Sequence, residues 1–200
     1  MNNKRHFKII AGKFKGVCLE LTSSETTRSS KSILRESLFN VLGNNIIDNC
    51  FIEAFAGVGS IGLEALSRGA KKVLFFEKNK ESFGILSQNI AHLYSKNPTI
   101  LANSFFGDTF ELLPKAIMDI KEKKILYFDP PFNIRENYTD IYEKCFSLLR
   151  FILSSIDLFL VIFEHSSEYK LPENIGHLSI IKQKKFGKSS LSYYASSLKT

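Results

Sequence analysis

Long apolar runs are missing from this sequence. The longest, over residues 158–163, falls far short of the roughly 20 residues that a membrane-spanning helix needs. Residues 1–7 are basic and polar, with no apolar segment behind them, so no secretory leader is expected. Cysteine is scarce: Cys18, Cys50 and Cys145 are odd in number and widely spaced. That excludes a disulfide framework and a paired-cysteine metal knuckle, and it suits a reducing cytoplasm. Each cysteine reads as a small packing or surface residue, because no histidine stands in a suggestive motif beside it. His6, His92, His165 and His177 show no pairing that points to a metal or a general base, so no metal site is expected. Repeats and low-complexity tracts are absent as well. One absence is local: residues 174–200 hold five lysines and no acidic residue.

What is present is the composition of a folded domain. Two hundred residues, 44% apolar and 24% charged, fit one domain with room for a small appendage. The net charge of +7 is uneven. Residues 1–42 hold eight basic and three acidic residues, while residues 43–173 hold 14 and 17. Basic ends around a mildly acidic body suggest surfaces that face a polyanion and a centre made for something else. Aromatic rings lie among the cations in Arg5-His6-Phe7-Lys8, Lys13-Phe14-Lys15 and Lys185-Phe186-Gly187-Lys188. That mixture suits RNA, where cations meet phosphate and rings stack on unpaired bases.

The patterning predicts a hairpin over 7–21 and a helix over 30–42 that stops at Gly43. From residue 50 strands and helices alternate. Strands are expected at 51–56, 72–77, 99–103, 125–129 and 158–164, with helices at 61–67, 81–94, 110–117 and 140–153 between them. A closing hairpin is expected over 177–197. Such alternation implies right-handed crossovers and a parallel sheet covered on both faces. The expectation is a doubly wound, Rossmann-like α/β domain over 44–200, carrying an N-terminal hairpin-and-helix extension over 1–43 that contacts RNA.

Gly57-Val58-Gly59-Ser60-Ile61-Gly62 lies between a strand and a helix, and Glu77 ends the next strand. The glycines permit a tight turn and close approach to a ligand, and the acid can accept hydrogen bonds from two ribose hydroxyls. Alone, this pattern suits a dinucleotide and other nucleoside cofactors equally. Glu53 adds a second carboxylate near the turn, which favours a cationic amino-acid moiety and repels a pyrophosphate. Asp108 follows the third strand and can accept from an adenine amine. Three acids at successive strand ends describe a cofactor with a positive centre, a ribose and an adenine, which S-adenosylmethionine matches.

Asp129-Pro130-Pro131-Phe132 ends the fourth strand. The prolines remove two backbone donors and fix φ, leaving carbonyls and a carboxylate as acceptors. Acceptors without donors hold the hydrogens of an exocyclic amine and aim its lone pair at an electrophile, while Phe132 stacks on the base.

At this level of detail the chain resembles the class I S-adenosylmethionine-dependent methyltransferases, and more closely the RsmD family of bacterial 16S rRNA guanine-N2 methyltransferases. The resemblance rests on residues 8–16, 35–40, 55–70 and 129–132, and runs nearly end to end. It implies a seven-stranded mixed sheet whose last strand is antiparallel. It also implies that Glu53, Phe55, Ala56, Gly57 and Gly59 surround the methionine part of the cofactor, Glu77 the ribose and Asp108 the adenine. Lys8, Lys13, Lys15, Arg28 and Arg35 are the expected RNA contacts. The partner implied is 16S rRNA or an assembling small subunit, met by a cytoplasmic monomer. The chain departs from the family at Glu53, where Asp is usual, and over residues 28–33, which lack the usual Pro, Asp and second Arg. Two alternatives stand beside this reading: amine methylation of a DNA adenine or protein glutamine, and a non-catalytic RNA-binding assembly protein.

Overall fold

In the computed structural model, residues 5–22, 29–131 and 138–196 are described. The chain begins with an antiparallel pair, β1 (His6–Lys8) and β2 (Cys18–Glu20), in which Phe7 faces Leu19. Helix α1 (Ser29–Leu42) follows, then a single 3₁₀ turn. The body runs β3 (Cys50–Glu53), α2 (Ser60–Ser67), β4 (Lys72–Glu77), α3 (Lys80–Lys96), β5 (Ala102–Phe106), α4 (Thr109–Ile117), β6 (Lys124–Phe128), α5 (Tyr138–Leu153) and β7 (Leu160–Ser166). It closes with β8 (Asn174–Ile175), β9 (Leu178–Phe186) and β10 (Ser189–Ser196). Among the described residues no helix is long and apolar enough to cross a membrane.

The main sheet has eight strands in the order β5-β4-β3-β6-β7-β10-β9-β8. β3 to β7 are mutually parallel, whereas β10 runs antiparallel to both β7 and β9. The antiparallel final strand is as expected; the count is eight rather than seven. The extra strand, β8, is a two-residue edge, too short to leave a period-two signal. β5 also lies about three residues later than expected. Asn97 caps α3 and the following residues turn, so the strand starts at Ala102, on an edge where the alternation of apolar residues is weak.

Every residue of β3 and β6 is buried, as parallel strands covered on both faces require. Phe51, Phe75, Tyr127 and Ile162 face one apolar layer with α1, α2 and α3. Ile52, Leu126, Phe128 and Phe163 face the other, packed by α4 and α5. The strand order reverses at β3: β4 and β5 lie to one side, β6 and β7 to the other. Ligands of open α/β sheets bind at the carboxyl ends of the strands at such a switch point.

The N-terminal hairpin is fastened onto α2. The amides of Ile10 and Ala11 donate to the Glu64 carboxylate at 2.8 and 3.0 Å, and those of Lys13 and Phe14 donate to Ser67. Gly12 has φ +83°, and a Cβ there would stand 1.9 Å from the Ser67 carbonyl oxygen, so glycine alone permits this approach. Asn89 of α3 completes the attachment, accepting from the Glu20 amide and donating to the carbonyls of Glu20 and Val58.

Candidate active site

Between β3 and α2 the chain passes through residues 54–59, held from both sides. The Ala54 amide donates to the Tyr127 carbonyl on β6, and that of Ala56 to the Phe76 carbonyl on β4. Gly57 (φ 52°) and Gly59 (φ 84°) both take left-handed backbone. At Gly59, the N-cap of α2, an added Cβ would meet Leu86 Cδ1 at 2.5 Å. The turn therefore needs glycine for packing as well as for conformation. The Gly57 amide donates to Glu77 Oε2 at 2.7 Å, and the Asn79 amide donates to Glu77 Oε1 at 2.6 Å. Two backbone donors thus fix the plane of the carboxylate at the end of β4.

Above the strand ends lies a cleft of about 640 Å³, within the size range of small-molecule sites. One half is walled by Phe55, Gly57, Phe76, Glu77 and Asp108, the other by Asp129, Pro130, Pro131, Glu164, Ser189 and Lys31. Phe55 is held edge-on to Phe110 with 5.9 Å between ring centroids. Asp108 caps α4, accepting from the Phe110 amide at 2.9 Å. The structure thus brings Phe55, Gly57, Glu77, Asp108, Asp129, Pro130 and Pro131 to one cavity. The lining suits a nucleoside cofactor: a fixed carboxylate for a ribose diol and an apolar wall for a ring, with Lys78 beside Glu77 on the same side.

Glu53, Ala56 and Gly59 stand behind this wall. Glu53 is only 3% exposed and turns toward α2, where its Oε2 accepts from the Gly62 amide at 2.9 Å. Burial pushes its carboxyl well above the usual range; the amides of Gly62 and Ile61 pull it down, and Asp129 and Glu77 add to the rise. Its direct structural role is to cap a helix N-terminus. Phe132 and Arg28 lie outside the described residues.

Lys8, Lys13 and Lys15 are exposed. Lys13 and Lys15 sit at the Ser67 end of α2, about 12 Å along the helix from the glycine turn. Arg35 is where structure and expectation part. It is 6% exposed; its Nη2 donates to the Lys8 carbonyl at 2.8 Å, its Nε lies 3.8 Å from Glu64 Oε2, and its guanidinium stacks over Phe7. The side chain binds α1 to the hairpin, and its charge is turned inward.

Sequence reasoning missed Glu164 and Lys31. Glu164 is 7% exposed at the carboxyl end of β7 and accepts a hydrogen bond from the Tyr127 hydroxyl. Burial raises its pKa, against the Tyr127 hydrogen bond and the Lys31 charge. The strand-end rule that singled out Glu77 and Asp108 applies equally to Glu164. Lys31 had no such signal, since only the fold brings α1 over the cleft.

A mixed, mostly parallel sheet with an antiparallel final strand, and a glycine turn facing a fixed carboxylate at its switch point, define a Rossmann-like S-adenosylmethionine-dependent methyltransferase. Comparison with known proteins narrows this. The family model described as "Conserved hypothetical protein 95" matches residues 7–195. Ribosomal RNA small subunit methyltransferase D of Haemophilus influenzae is 32% identical over 155 residues, covering 74% of this chain and 72% of that one. Among solved structures, yhhF from Escherichia coli superposes with a TM-score of 0.75 at 27% identity, over 96% of this chain and 98% of that one. The chain belongs to the RsmD family. A more distant structure shares the fold at 15% identity and a TM-score of 0.68: the Thermus thermophilus 16S rRNA N2 G1207 methyltransferase, in complex with AdoMet and guanosine, where the match covers 97% of this chain and 50% of that one.

Proposed function

We propose that this protein transfers a methyl group from S-adenosylmethionine to the exocyclic N2 amine of a guanine in 16S rRNA. The observation that carries the reading is the meeting of Asp129-Pro130-Pro131 with Glu77 and Gly57 in one cleft at the switch point. When bound, the cofactor supplies an electrophilic methyl group on a sulfonium centre.

The chain's own residues do the rest. Glu77, aimed by two amides, holds the ribose hydroxyls. Asp108 holds the adenine, and Phe55, Ala56, Gly57 and Gly59 shape the turn around the amino-acid end. Glu53 acts through the turn, by setting α2. Asp129 and the carbonyls beside Pro130 and Pro131 accept the hydrogens of the target amine and direct its lone pair along the line of transfer. With the cofactor bound, the new carbon–nitrogen bond would form as the carbon–sulfur bond breaks, and the methylated amine would shed its proton to solvent. Asp129 need not be a strong base, since in-line positioning supplies on the order of 7–11 kcal/mol of a barrier. Phe132, next in sequence, is the residue we assign to stacking on the base.

The substrate assignment draws on the name borne by relatives of this chain and on the basic extension over 1–43. Within it Lys8, Lys13 and Lys15 offer exposed cations, and Arg28 is a further candidate. We read the chain as a cytoplasmic monomer acting on rRNA or an assembling small subunit. Transfer from tritiated S-adenosylmethionine to small subunits, 16S rRNA and plasmid DNA tests this. Label in rRNA or the subunit is the expected result; label in DNA or protein overturns the substrate, and no label anywhere overturns the activity.

A further inference from the structure

The substrate half of the cleft holds a carboxylate that amine methylation does not require. β6 and β7 are parallel neighbours whose last pair is Phe128 with Phe163; Asp129 directly follows β6 and Glu164 directly follows Phe163, so the two acids stand at the same end of adjacent strands. Side chains alternate along a strand, so Glu164 projects to the face that Ile162 shares, toward Tyr127. Asp129 and Glu164 line the same cavity. Among the described residues, the hydrogen bond Glu164 receives comes from the Tyr127 hydroxyl, onto Oε2. Tyr127 is itself fully buried beneath the cleft, so this bond fixes the carboxylate from below. Burial pushes the Glu164 carboxyl up, and the Tyr127 hydrogen bond and the charge of Lys31, on the same wall, oppose that rise.

A carboxylate has acceptor sites beyond the one that the Tyr127 hydroxyl fills on Oε2, and because Glu164 lines the cleft a donor on the substrate can reach them. Resting on the reading given under Proposed function, we propose that Glu164 selects the base, by accepting the N1–H of the target guanine while Asp129 and the proline-flanked carbonyls hold its neighbouring N2 amine. The Watson–Crick edge of guanine offers donors at N1 and N2 side by side. Adenine and cytosine present a bare ring nitrogen at the corresponding position, which meets the carboxylate lone pair to lone pair. A site that leaves buried polar groups unpaired with the wrong partner rejects it strongly.

The test separates this role from a structural one. The labelled guanine is first located in rRNA with wild-type enzyme, then replaced by 2,6-diaminopurine through splinted ligation. That base keeps the N2 amine but carries an acceptor at N1. Wild type is expected to prefer guanine by about tenfold or more in kcat/KM, the scale of one specific base contact. Glu164→Gln, whose amide can donate to N1, is expected to bring the two substrates within about threefold while S-adenosylmethionine still binds. Tyr127→Phe, which loosens the carboxylate without changing the packing shape, is expected to fall between. A preference retained in both variants, or equal loss on both substrates, overturns the proposal. If wild type methylates no rRNA guanine, the underlying reading fails first, and it does so in the wild-type arm alone.

Discussion

Two buried glutamates on the same side of the sheet illustrate how differently a carboxylate can serve. Glu64 is fully buried within α2, yet it accepts from two hairpin amides and from Arg68 Nε at 2.7 Å, with Arg35 nearby. Removing it strands these three donors and takes the opposite charge away from Arg35. Glu64→Ala is expected to cost about 3–5 kcal/mol in urea unfolding, as for other broken buried ion pairs; a loss below about 1 kcal/mol would contradict this role. Glu53 has amide donors but, among the described residues, no ion pair, and burial raises its pKa well above the usual range. The native state therefore holds a proton that the unfolded chain releases above pH ~4.5. Stability falls as pH rises from there through the raised native value. Glu53→Gln is expected to flatten this decline, and an unaltered pH slope would show that Glu53 is not its source. In the sequence, a mid-helix acid such as Glu64 reads as solvated, because the two hairpin amides it holds lie more than fifty positions away. Glu77 and Asp108 were visible because each follows a strand.

The elements were readable wherever packing repeats at a fixed period. All five helices and the parallel strands stand close to where apolar spacing puts them. The errors fall at edges. β5 and β8 bury little, so propensity and caps decide their bounds, and neither leaves a clear pattern. The N-terminal hairpin was recognisable, but its docking was not. Its strands have only three residues each, and its order comes from the contacts of its loop with α2. Gly12→Ala tests this attachment. A side chain there meets backbone rather than a flexible group, in a conformation that itself costs about 1–3 kcal/mol. The variant is expected to lose at least about 2 kcal/mol of stability, and wild-type stability would mean that the loop can pull away from Ser67 without penalty.

At the scale of the whole molecule, the sheet divides the work. Its carboxyl edge carries the cleft, while Lys13 and Lys15 lie toward the other end of α2. If the hairpin contacts RNA, it grips the substrate at a distance from the reacting base and sets register rather than chemistry. Reversing Lys13 and Lys15 to Glu is expected to weaken rRNA binding and lower the slope of log affinity against log salt by about one per lost phosphate contact. An unchanged slope would remove the hairpin from the interface. The central claim is tested most directly in cells lacking this gene, complemented with wild type or Asp129→Ala, by mass spectrometry of nucleosides from purified 16S rRNA. Wild type should restore N2-methylguanosine at one position. Asp129→Ala should reduce it at least about 100-fold in matched assays in vitro, with S-adenosylmethionine binding within about tenfold. Equal N2-methylguanosine with and without the gene, or full methylation by Asp129→Ala, would contradict the account.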